Sequence, residues 1–257
     1  MKTILFHQNK EYQIDLSQPL DISMTLSTNK ENSSAWYVNP VIIEPVKGEG
    51  FIGSVKDGGS VNFRNITFNP HGNGTHTESV GHIDKTIYSI NETLKRFHFT
   101  ALVISVEPET CTSKTGTREI EDKIISLEQI KKTIGNKTPE AIIIRTLPNN
   151  DSKLTKQYSN ANAPYLCDKA AKFISDLGID HLLIDLPSVD KENDNGELLS
   201  HHAFWNHPEN TQFQKTITEF IYVNNQIEDG DYILNLQIAP FNNDASPSKP
   251  VLYKIIN

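Results

Sequence analysis

Alternating and continuous apolar segments recur along this chain and predict a series of β-strands. Polar and apolar residues alternate at 11–16 and 61–68, which is typical of strands with one buried face. A β-branched run at 41–46 is a further strand candidate. Continuous apolar runs at 101–106 and 141–145 predict strands that are buried on both faces, as in a parallel sheet.

Helical periodicity is interleaved with these strands. Ser126 is a good N-cap and predicts a helix over 126–134. Apolar residues spaced three and four apart predict a second helix over 165–177, with Gly178 as its terminator. After it the pattern predicts strands at 181–186, 216–223, 231–239 and 251–256, and a polar loop at 191–196. This order predicts an α/β fold with a mixed sheet, in one domain over residues 1–257.

The composition narrows the class of protein. Lys and Arg number 24 and Asp and Glu 32, so the net charge is −8, which disfavours nucleic acid and anionic membranes as partners. No segment approaches the roughly 20 apolar residues of a membrane helix, and the first apolar run is too short for a secretion signal. Cys111 and Cys167 lack metal or redox spacing and predict free thiols. We therefore expect a cytoplasmic protein.

The segment at 70–82 carries the strongest chemical signal. It places His71, His76, Glu78 and His82 within twelve residues. Imidazole and carboxylate are ligands that a divalent metal such as zinc prefers. In an extended backbone His76, Glu78 and His82 would lie on the same side, because side chains alternate. The spacing is neither that of a zinc finger nor the H-E-x-x-H of a helical metalloprotease.

Glu219 and one of the two adjacent histidines, His201 or His202, are further candidates for the same site. Alternation puts Glu219 among aliphatic residues, where a carboxylate needs a partner or a cation, unless the strand is an exposed edge. His201 and His202 are adjacent, so on a helix only one of them can face a given site. His202 shares a predicted face with Trp205, which favours His201 as the ligand.

Two other segments have weaker indications. The segment at 185–190, which contains Ser188, follows an apolar strand, where α/β proteins bind ligands, although its residues are also ordinary turn formers. Trp36 and Tyr37 would form a wall of an aromatic pocket or belong to the core.

The histidine segment resembles the H-x-G-T-H-x-D-x-P-x-H signature of the metal-dependent cyclase family, which includes bacterial kynurenine formamidases and isatin hydrolases. Weaker family motifs follow in the same order, so that the resemblance covers about residues 19–253. These supporting motifs are at 19–23, 185–190, 200–205, 218–221 and 245–251.

The resemblance implies a swivelling β/β/α fold and one or two divalent ions, zinc or manganese. His76 and Glu78 would be ligands of a first metal, with His71 or Asn73 as a third, because His71 lies one residue further away than in the family pattern. His82 would be catalytic or bind a second metal. His201 and Glu219 would complete the second metal site or orient the water. Glu78 in place of Asp, and Val80-Gly81 in place of P-x, also depart from the pattern.

These observations predict a metal-dependent hydrolase of a small amide or cyclic amide. The metal would activate water near neutral pH, His82 would carry a proton to the leaving nitrogen, and Glu219 would hold the water or a second cation. Trp36 and Ser188 are expected to contact the substrate, and the resemblance favours a dimer or tetramer. A lactonase or dehydratase and a non-catalytic metal-binding protein are the alternatives.

Overall fold

A computed structural model describes residues 1–28, 32–112, 114 and 116–256. The strands, in chain order, are β1 (Lys2–His7), β2 (Lys10–Asp15), β3 (Leu20–Asp21), β4 (Ile42–Pro45), β5 (Lys47–Gly48), β6 (Phe51–Ile52), β7 (Arg64–Thr67), β8 (His76–Glu78), β9 (His98–Val106), β10 (Glu109–Thr110), β11 (Lys123–Ile125), β12 (Ala141–Thr146), β13 (Tyr165–Leu166), β14 (His181–Ile184), β15 (Thr216–Glu219), β16 (Gly230–Ile238) and β17 (Ala245–Lys254). The helices are α1 (Ile90–Thr93), α2 (Leu127–Ile134), α3 (Asp168–Asp176) and α4 (Leu199–Trp205), and short 3-10 helices cover Val80–His82 and Asp151–Leu154.

The main sheet closes on itself. Its strands follow the order β16-β9-β12-β14-β15-β8-β17, and β17 pairs again with β16 to complete a ring of seven strands, to which β3 adds at β17. Strands β9, β12, β14 and β15 run parallel to one another, whereas β8, β16 and β17 pair antiparallel with their neighbours. The expected α/β fold with a mixed sheet is therefore confirmed.

Alternating residues of the parallel strands belong to two hydrophobic clusters. Leu102 and Ile142 face the cluster that contains the apolar sides of α2, α3 and α4. Val103 and Ile143 face a second cluster, which includes residues of β16 and β17. Both faces of these strands are thus buried, as their continuous apolar runs predict.

Several predicted boundaries were wrong. The helix expected at 165–177 begins only at Asp168, because Tyr165 and Leu166 pair with β11 as strand β13. The strand expected at 216–223 ends at Glu219, because Phe220 adopts a positive φ of 54°. The alternation at 61–68 does not mark a half-buried strand, since all four residues of β7 are exposed. The Ser126 cap of α2 is confirmed and forms a capping box with Gln129.

The state of the cysteines and the lengths of the helices also bear on the predictions. Cys111 and Cys167 are free thiols, as predicted. The longest described helix has nine residues, and none of the described helices has the length and apolarity that crossing a bilayer requires.

Candidate metal centre

Strand β8 places two of the candidate ligands side by side. It lies between β15 and β17, and its register sets Glu219 opposite His76 and Ile217 opposite Glu78. His76 and Glu78 share one face of β8 and are fully buried; Nε2 of His76 lies 3.9 Å from Oε2 of Glu78. The predicted same-side arrangement of these two residues is confirmed.

His82 reaches the centre by a different route from the predicted one. The strand ends at Glu78, and the Ser79 hydroxyl accepts a hydrogen bond from Gly81 at the start of a 3-10 helix. That turn brings Nδ1 of His82 to 3.9 Å from Oε2 of Glu78. Gly81 is required here, because a Cβ atom would lie 2.5 Å from the backbone nitrogen of Tyr88. The extended backbone expected through His82 was therefore wrong, although the residue lies at the centre.

His71 lies at the centre and Asn73 is engaged elsewhere. Nδ1 of His71 is 3.1 Å from Oε2 of Glu78. The Asn73 side chain accepts a hydrogen bond from the Asn69 backbone and donates one to the Asn39 carbonyl. Asn73 thus shapes the loop before β8, and the loop delivers the imidazole of His71.

Of the two adjacent histidines, His201 faces the centre. Its Nε2 is 3.1 Å from Oε1 of Glu78, and it is almost fully buried. Nδ1 of His202 instead contacts the His207 carbonyl at 3.0 Å. The reason given from the sequence was wrong, because Trp205 packs against His201, four residues earlier on α4, with ring centroids 5.6 Å apart.

Glu219 is a buried carboxylate rather than part of an exposed edge strand. Its Oε1 accepts a hydrogen bond of 2.8 Å from the Val189 backbone. Its Oε2 lies 3.4 Å from Nε2 of His76, and the residue is 3 % exposed. It adds a second carboxylate beside the one of Glu78.

Three imidazoles are fixed by acceptors on their outer nitrogens. Nδ1 of His76 contacts the Gly74 carbonyl at 2.9 Å, Nε2 of His71 contacts Asp244 at 2.9 Å, and Nδ1 of His201 contacts Asp190 at 2.5 Å. A neutral imidazole that donates through one nitrogen has a lone pair on the other. The inner nitrogens of all three rings therefore face Glu78 as potential metal ligands, in the arrangement by which carboxylates orient metal-binding histidines.

Two buried atoms at this centre lack a hydrogen-bond partner: Nε2 of His76 and Oε2 of Glu78. The short approach of His71 to Glu78 does not have hydrogen-bond geometry, so it leaves Oε2 unsatisfied. Unpaired buried polar atoms are costly unless a ligand or ion completes them. Ligand atoms of three overlapping groups lie close enough to hold a metal ion: His71, His76 and Glu78; His71, His82 and Asp244; and Glu78, His82 and His201.

The electrostatics of the centre reflect its high density of charge. Burial alone would lower the pKa of His71, but the hydrogen bond to Asp244 and the nearby Glu78 raise that pKa to about 10. Burial would raise the pKa of Glu78, but His82 and His201 outweigh it and hold the pKa well below its usual range. Without a metal, the carboxylates thus favour the protonated forms of His71 and His201, and these are the protons that a cation would displace.

Residues 14–191 match the profile of the family described as "Putative cyclase". The chain belongs to the cyclase family. Relatives of this cyclase chain include a kynurenine formamidase of Bacillus cytotoxicus, 26% identical over 198 residues, with 76% of this chain and 81% of the relative covered. A kynurenine formamidase of Bacillus cereus is 26% identical over 246 residues, with 94% and 97% covered.

Solved structures of the same fold cover nearly all of the cyclase chain. Isatin hydrolase A from Labrenzia aggregata bound to benzyl benzoate has a TM-score of 0.65 at 14% identity, covering 93% of this chain and 94% of that one. A predicted metal-dependent hydrolase from Bacillus stearothermophilus has a TM-score of 0.62 at 14% identity, with 92% and 98% covered. These likenesses support the fold.

Two carboxylates of the cyclase site were missed in the sequence. Asp190 lies in the segment 185–190, yet its contact with His201 was not anticipated. Asp244 lies directly before the motif at 245–251, and its Oδ2 approaches His71 at 2.9 Å and His82 at 3.4 Å. Their positions within or beside two of the supporting motifs were the only signal in the sequence, because the contacts with the histidines depend on the tertiary fold.

The two expected substrate contacts, Trp36 and Ser188, pack against or bond to residues that neighbour the centre. Trp36 is half-buried against a cluster that includes Phe220, whose ring centroid is 6.3 Å from that of His76. The Ser188 hydroxyl accepts a hydrogen bond from the Asp190 backbone at 3.0 Å, as a turn residue does. Their contact with substrate stays a prediction.

Proposed function

We propose that this protein is a metal-dependent hydrolase that cleaves the C–N bond of a small amide or cyclic amide. The observation that carries the proposal is the convergence of three oriented imidazoles on Glu78, with Nε2 of His76 and Oε2 of Glu78 buried and unpaired. Such a set of nitrogen and oxygen donors suits zinc or manganese.

The ligand set that we propose has two parts that share Glu78. His71, His76 and Oε2 of Glu78 would hold one ion. His201 and Oε1 of Glu78, with Glu219 or His82, would hold a second ion where two are bound. The two oxygens of Glu78 face different imidazoles, so Glu78 could provide one oxygen to each ion.

The relatives support the reaction class. The name formamidase denotes hydrolysis of a formamide, and isatin is a cyclic amide, so the names of both kinds of relative describe cleavage of an amide C–N bond. A bound divalent cation supplies a Lewis acid, which lowers the pKa of water to about 7 and polarises a carbonyl.

The residues around the proposed ligands have separate tasks in this proposal. His82 is about 30 % exposed at the mouth of the centre, so its imidazole can pass a proton to a leaving nitrogen and exchange it with solvent. Glu219 would hold the attacking water through Oε2, because its other oxygen is already engaged by the Val189 backbone.

An aromatic substrate fits the surroundings of the centre. Trp36, Tyr158, Phe220 and Tyr222 belong to one apolar cluster beside His76. An aryl group would pack against Trp36, the partly exposed member of this cluster, while its amide faces the ligands, and Ser188 would contact its polar end. We retain one domain over residues 1–257 and a dimer or tetramer as further parts of this proposal.

Elemental analysis combined with turnover tests the proposal. Purified protein should contain at least one equivalent of zinc or manganese, and chelation should remove both metal and hydrolysis of N-formylated aromatic amines. Re-addition of the metal should restore turnover. Turnover of isatin in the same assay would place the substrate among cyclic amides, whereas turnover of lactones would indicate a different substrate class. Full amide hydrolysis by metal-free protein would exclude the proposed mechanism.

A further inference from the structure

Four tyrosines of the described chain are buried, and the hydroxyl group of one of them differs from the others. Tyr165, Tyr222 and Tyr232 each donate a hydrogen bond of 2.6–2.9 Å from the hydroxyl to an oxygen of the protein. The hydroxyl of Tyr158 has no such partner among the described residues, although this residue is only 3 % exposed. A buried tyrosine usually pairs its hydroxyl, so the unpaired group of Tyr158 requires an explanation.

The hydroxyl of Tyr158 is unpaired but not sealed inside the protein. Several polar atoms of the described residues are both fully enclosed and without a partner, such as Nε2 of His76, and the Tyr158 oxygen is not among them. The small part of Tyr158 that solvent reaches therefore includes this oxygen. A fixed polar group at the end of a buried ring is the means by which apolar pockets orient a ligand.

Tyr158 lies beside the candidate metal centre. Its ring meets the Phe220 ring edge-on, with centroids 5.7 Å apart, and the Phe220 ring centroid is 6.3 Å from that of His76. Phe220 directly follows Glu219, whose Oε2 lies 3.4 Å from Nε2 of His76. A single aromatic ring thus separates Tyr158 from the proposed ligands.

The backbone fixes Tyr158 against the segment that carries Trp36. The N–H of Tyr158 donates to the Ser34 carbonyl at 2.8 Å, and the N–H of Ala35 donates to the Gly72 carbonyl at 3.1 Å, in the loop before β8. Trp36 is half-buried and packs against the same apolar cluster as Tyr158. The hydroxyl and the indole therefore belong to one wall, and hydrogen bonds join that wall to the loop before β8.

We propose that the Tyr158 hydroxyl determines specificity by donating a hydrogen bond to an acceptor oxygen on the aryl part of the substrate. This inference rests on the proposed function, in which an aryl amide packs against Trp36 with its amide facing the ligands. The substrates that this protein prefers are then aryl amides with a second oxygen, such as a ketone carbonyl, in addition to the amide that is cleaved.

The surroundings of Tyr158 keep its hydroxyl in the donor form. Burial, with a smaller contribution from the carboxylate of Asp185, raises the pKa of Tyr158 above its ordinary value. The phenol therefore retains its proton throughout the neutral range and can donate it in a hydrogen bond. Asp185 does not take this proton as an acceptor, because its oxygens are engaged by Thr146 and Lys153.

The selectivity follows from the cost of leaving a covered hydroxyl unpaired. A substrate that covers Tyr158 without offering an acceptor excludes water from the hydroxyl and gives it no partner. Sites built to form a hydrogen bond discriminate against analogues that lack the matching group. For one bond between neutral groups the expected discrimination is about 10-fold in affinity.

Matched pairs of aryl amides test the proposal. Acetyl- and isopropenyl-substituted formanilides, in their ortho, meta and para forms, have nearly the same shape and differ in the acceptor oxygen. The zinc-loaded wild type should have a KM about 10-fold lower for the acetyl member of at least one pair. Tyr158→Phe should remove this preference and leave kcat for the isopropenyl member unchanged. Tyr232→Phe is the matched control, because Tyr232 is also buried but has a bonded hydroxyl, and it should keep the preference.

Binding of the corresponding amines separates this proposal from the proposed function. Calorimetric titration with aminoacetophenones and isopropenylanilines requires no hydrolysis, and the wild type should bind the acetyl member of at least one pair about 10-fold more tightly. Absence of turnover in the wild type, with this preference in binding intact, would contradict the proposed function alone.

Urea denaturation distinguishes a ligand contact from a structural role of the hydroxyl. Tyr158→Phe should keep the wild-type midpoint, whereas Tyr232→Phe should lower it, because a bonded hydroxyl is lost. A wild type that binds neither amine, or both equally, in every pair overturns the proposal. So does a Tyr158→Phe variant that retains the preference for the acetyl member. A Tyr158→Phe variant that is clearly less stable than the wild type overturns it as well, since the hydroxyl would then have a partner within the protein.

Discussion

Two clusters of buried charged residues lie at strand ends of the ring. They differ in how completely their polar atoms are paired by hydrogen bonds within the cluster. The Lys153 cluster joins Lys153 to Asp185, Thr146 and Asn149. Its ammonium group donates to Asp185 at 2.7 Å, to the Thr146 hydroxyl at 2.9 Å and to Asn149 at 3.1 Å. Asp185 accepts further hydrogen bonds from the backbone and hydroxyl of Thr146.

The Glu78 cluster, made of the residues of the candidate metal centre, contains no lysine or arginine. Its members are imidazoles and carboxylates, and Nε2 of His76 and Oε2 of Glu78 remain unpaired. The Lys153 cluster supplies its own cation, whereas the Glu78 cluster provides only ligands for one. Burial of charge alone therefore does not identify a functional site, and the unsatisfied atoms are what distinguish the two.

The largest effect is expected from Glu78→Gln, which keeps the shape of the side chain and removes its charge. Loss of the shared carboxylate should abolish binding of at least one ion and lower kcat by about 1000-fold or more. His76→Ala should do the same. Metal content and turnover would be measured per folded molecule, with Asp185→Asn as the control that retains metal. Full turnover in Glu78→Gln would remove this residue from the proposed ligands.

Lys153→Met should act on stability instead of on metal binding. It leaves Asp185 buried without its cation, which typically costs about 3–5 kcal/mol in the free energy of unfolding. Urea denaturation of metal-free protein measures this loss. The double variant Lys153→Met, Asp185→Leu should recover much of it, because both charges are then removed. A loss below about 1 kcal/mol in the single variant would show that the pair is not structural.

A smaller effect is expected at the carboxylates that orient the imidazoles. Asp190→Asn should weaken metal binding by about 10- to 100-fold, because His201 loses the charged acceptor on Nδ1. Asp244→Asn should do likewise through His71. Competition with a chromophoric chelator gives the affinity. Unchanged affinity in both variants would mean that these carboxylates do not act through the imidazoles.

The sequence revealed the parts of the centre that depend on local spacing. The alternation of His76 and Glu78 is a property of any strand, so their shared face could be predicted. His82 could not be placed, because the turn that returns it depends on the close approach of Gly81 to Tyr88. Asp244 is 173 residues away from His71, and only the pairing of β8 with β17 brings them together.

In the fold, too, local sequence patterns predicted some features and could not predict others. Continuous apolar runs predicted β9 and β12, because a strand that is buried on both faces consists almost entirely of apolar residues. The pairing of β16 with β17, which closes the ring, could not be predicted in this way, since alternation does not specify which strand pairs with which. Leu166 was assigned to a helix because its buried position fits a helical spacing as well as it fits strand β13.

His181 is a buried titratable residue that belongs to neither cluster. It is 5 % exposed, its Nδ1 contacts the Thr216 hydroxyl at 2.9 Å, and the Phe99 ring packs against it. Burial, with some help from Arg96 and Lys215 and against Glu140, lowers the pKa of His181 to about 3. This residue is therefore neutral in the folded protein under conditions in which the unfolded chain binds a proton.

The sign of the resulting pH dependence follows from linkage. Between the unfolded pKa of about 6.5 and the folded pKa of about 3, the unfolded state holds one more proton at His181, so stability falls as the pH falls. From pH 6.5 to 5.5 the loss should be about 1 kcal/mol. His181→Gln keeps a polar group beside Thr216 but cannot titrate, so its loss over this interval should be smaller than that of the wild type by that amount. Urea denaturation of both metal-free proteins measures the difference, from which the titration of all other groups cancels. Parallel curves would show that His181 titrates alike in the folded and unfolded states, so that burial without a charged partner does not hold an imidazole neutral in this sheet.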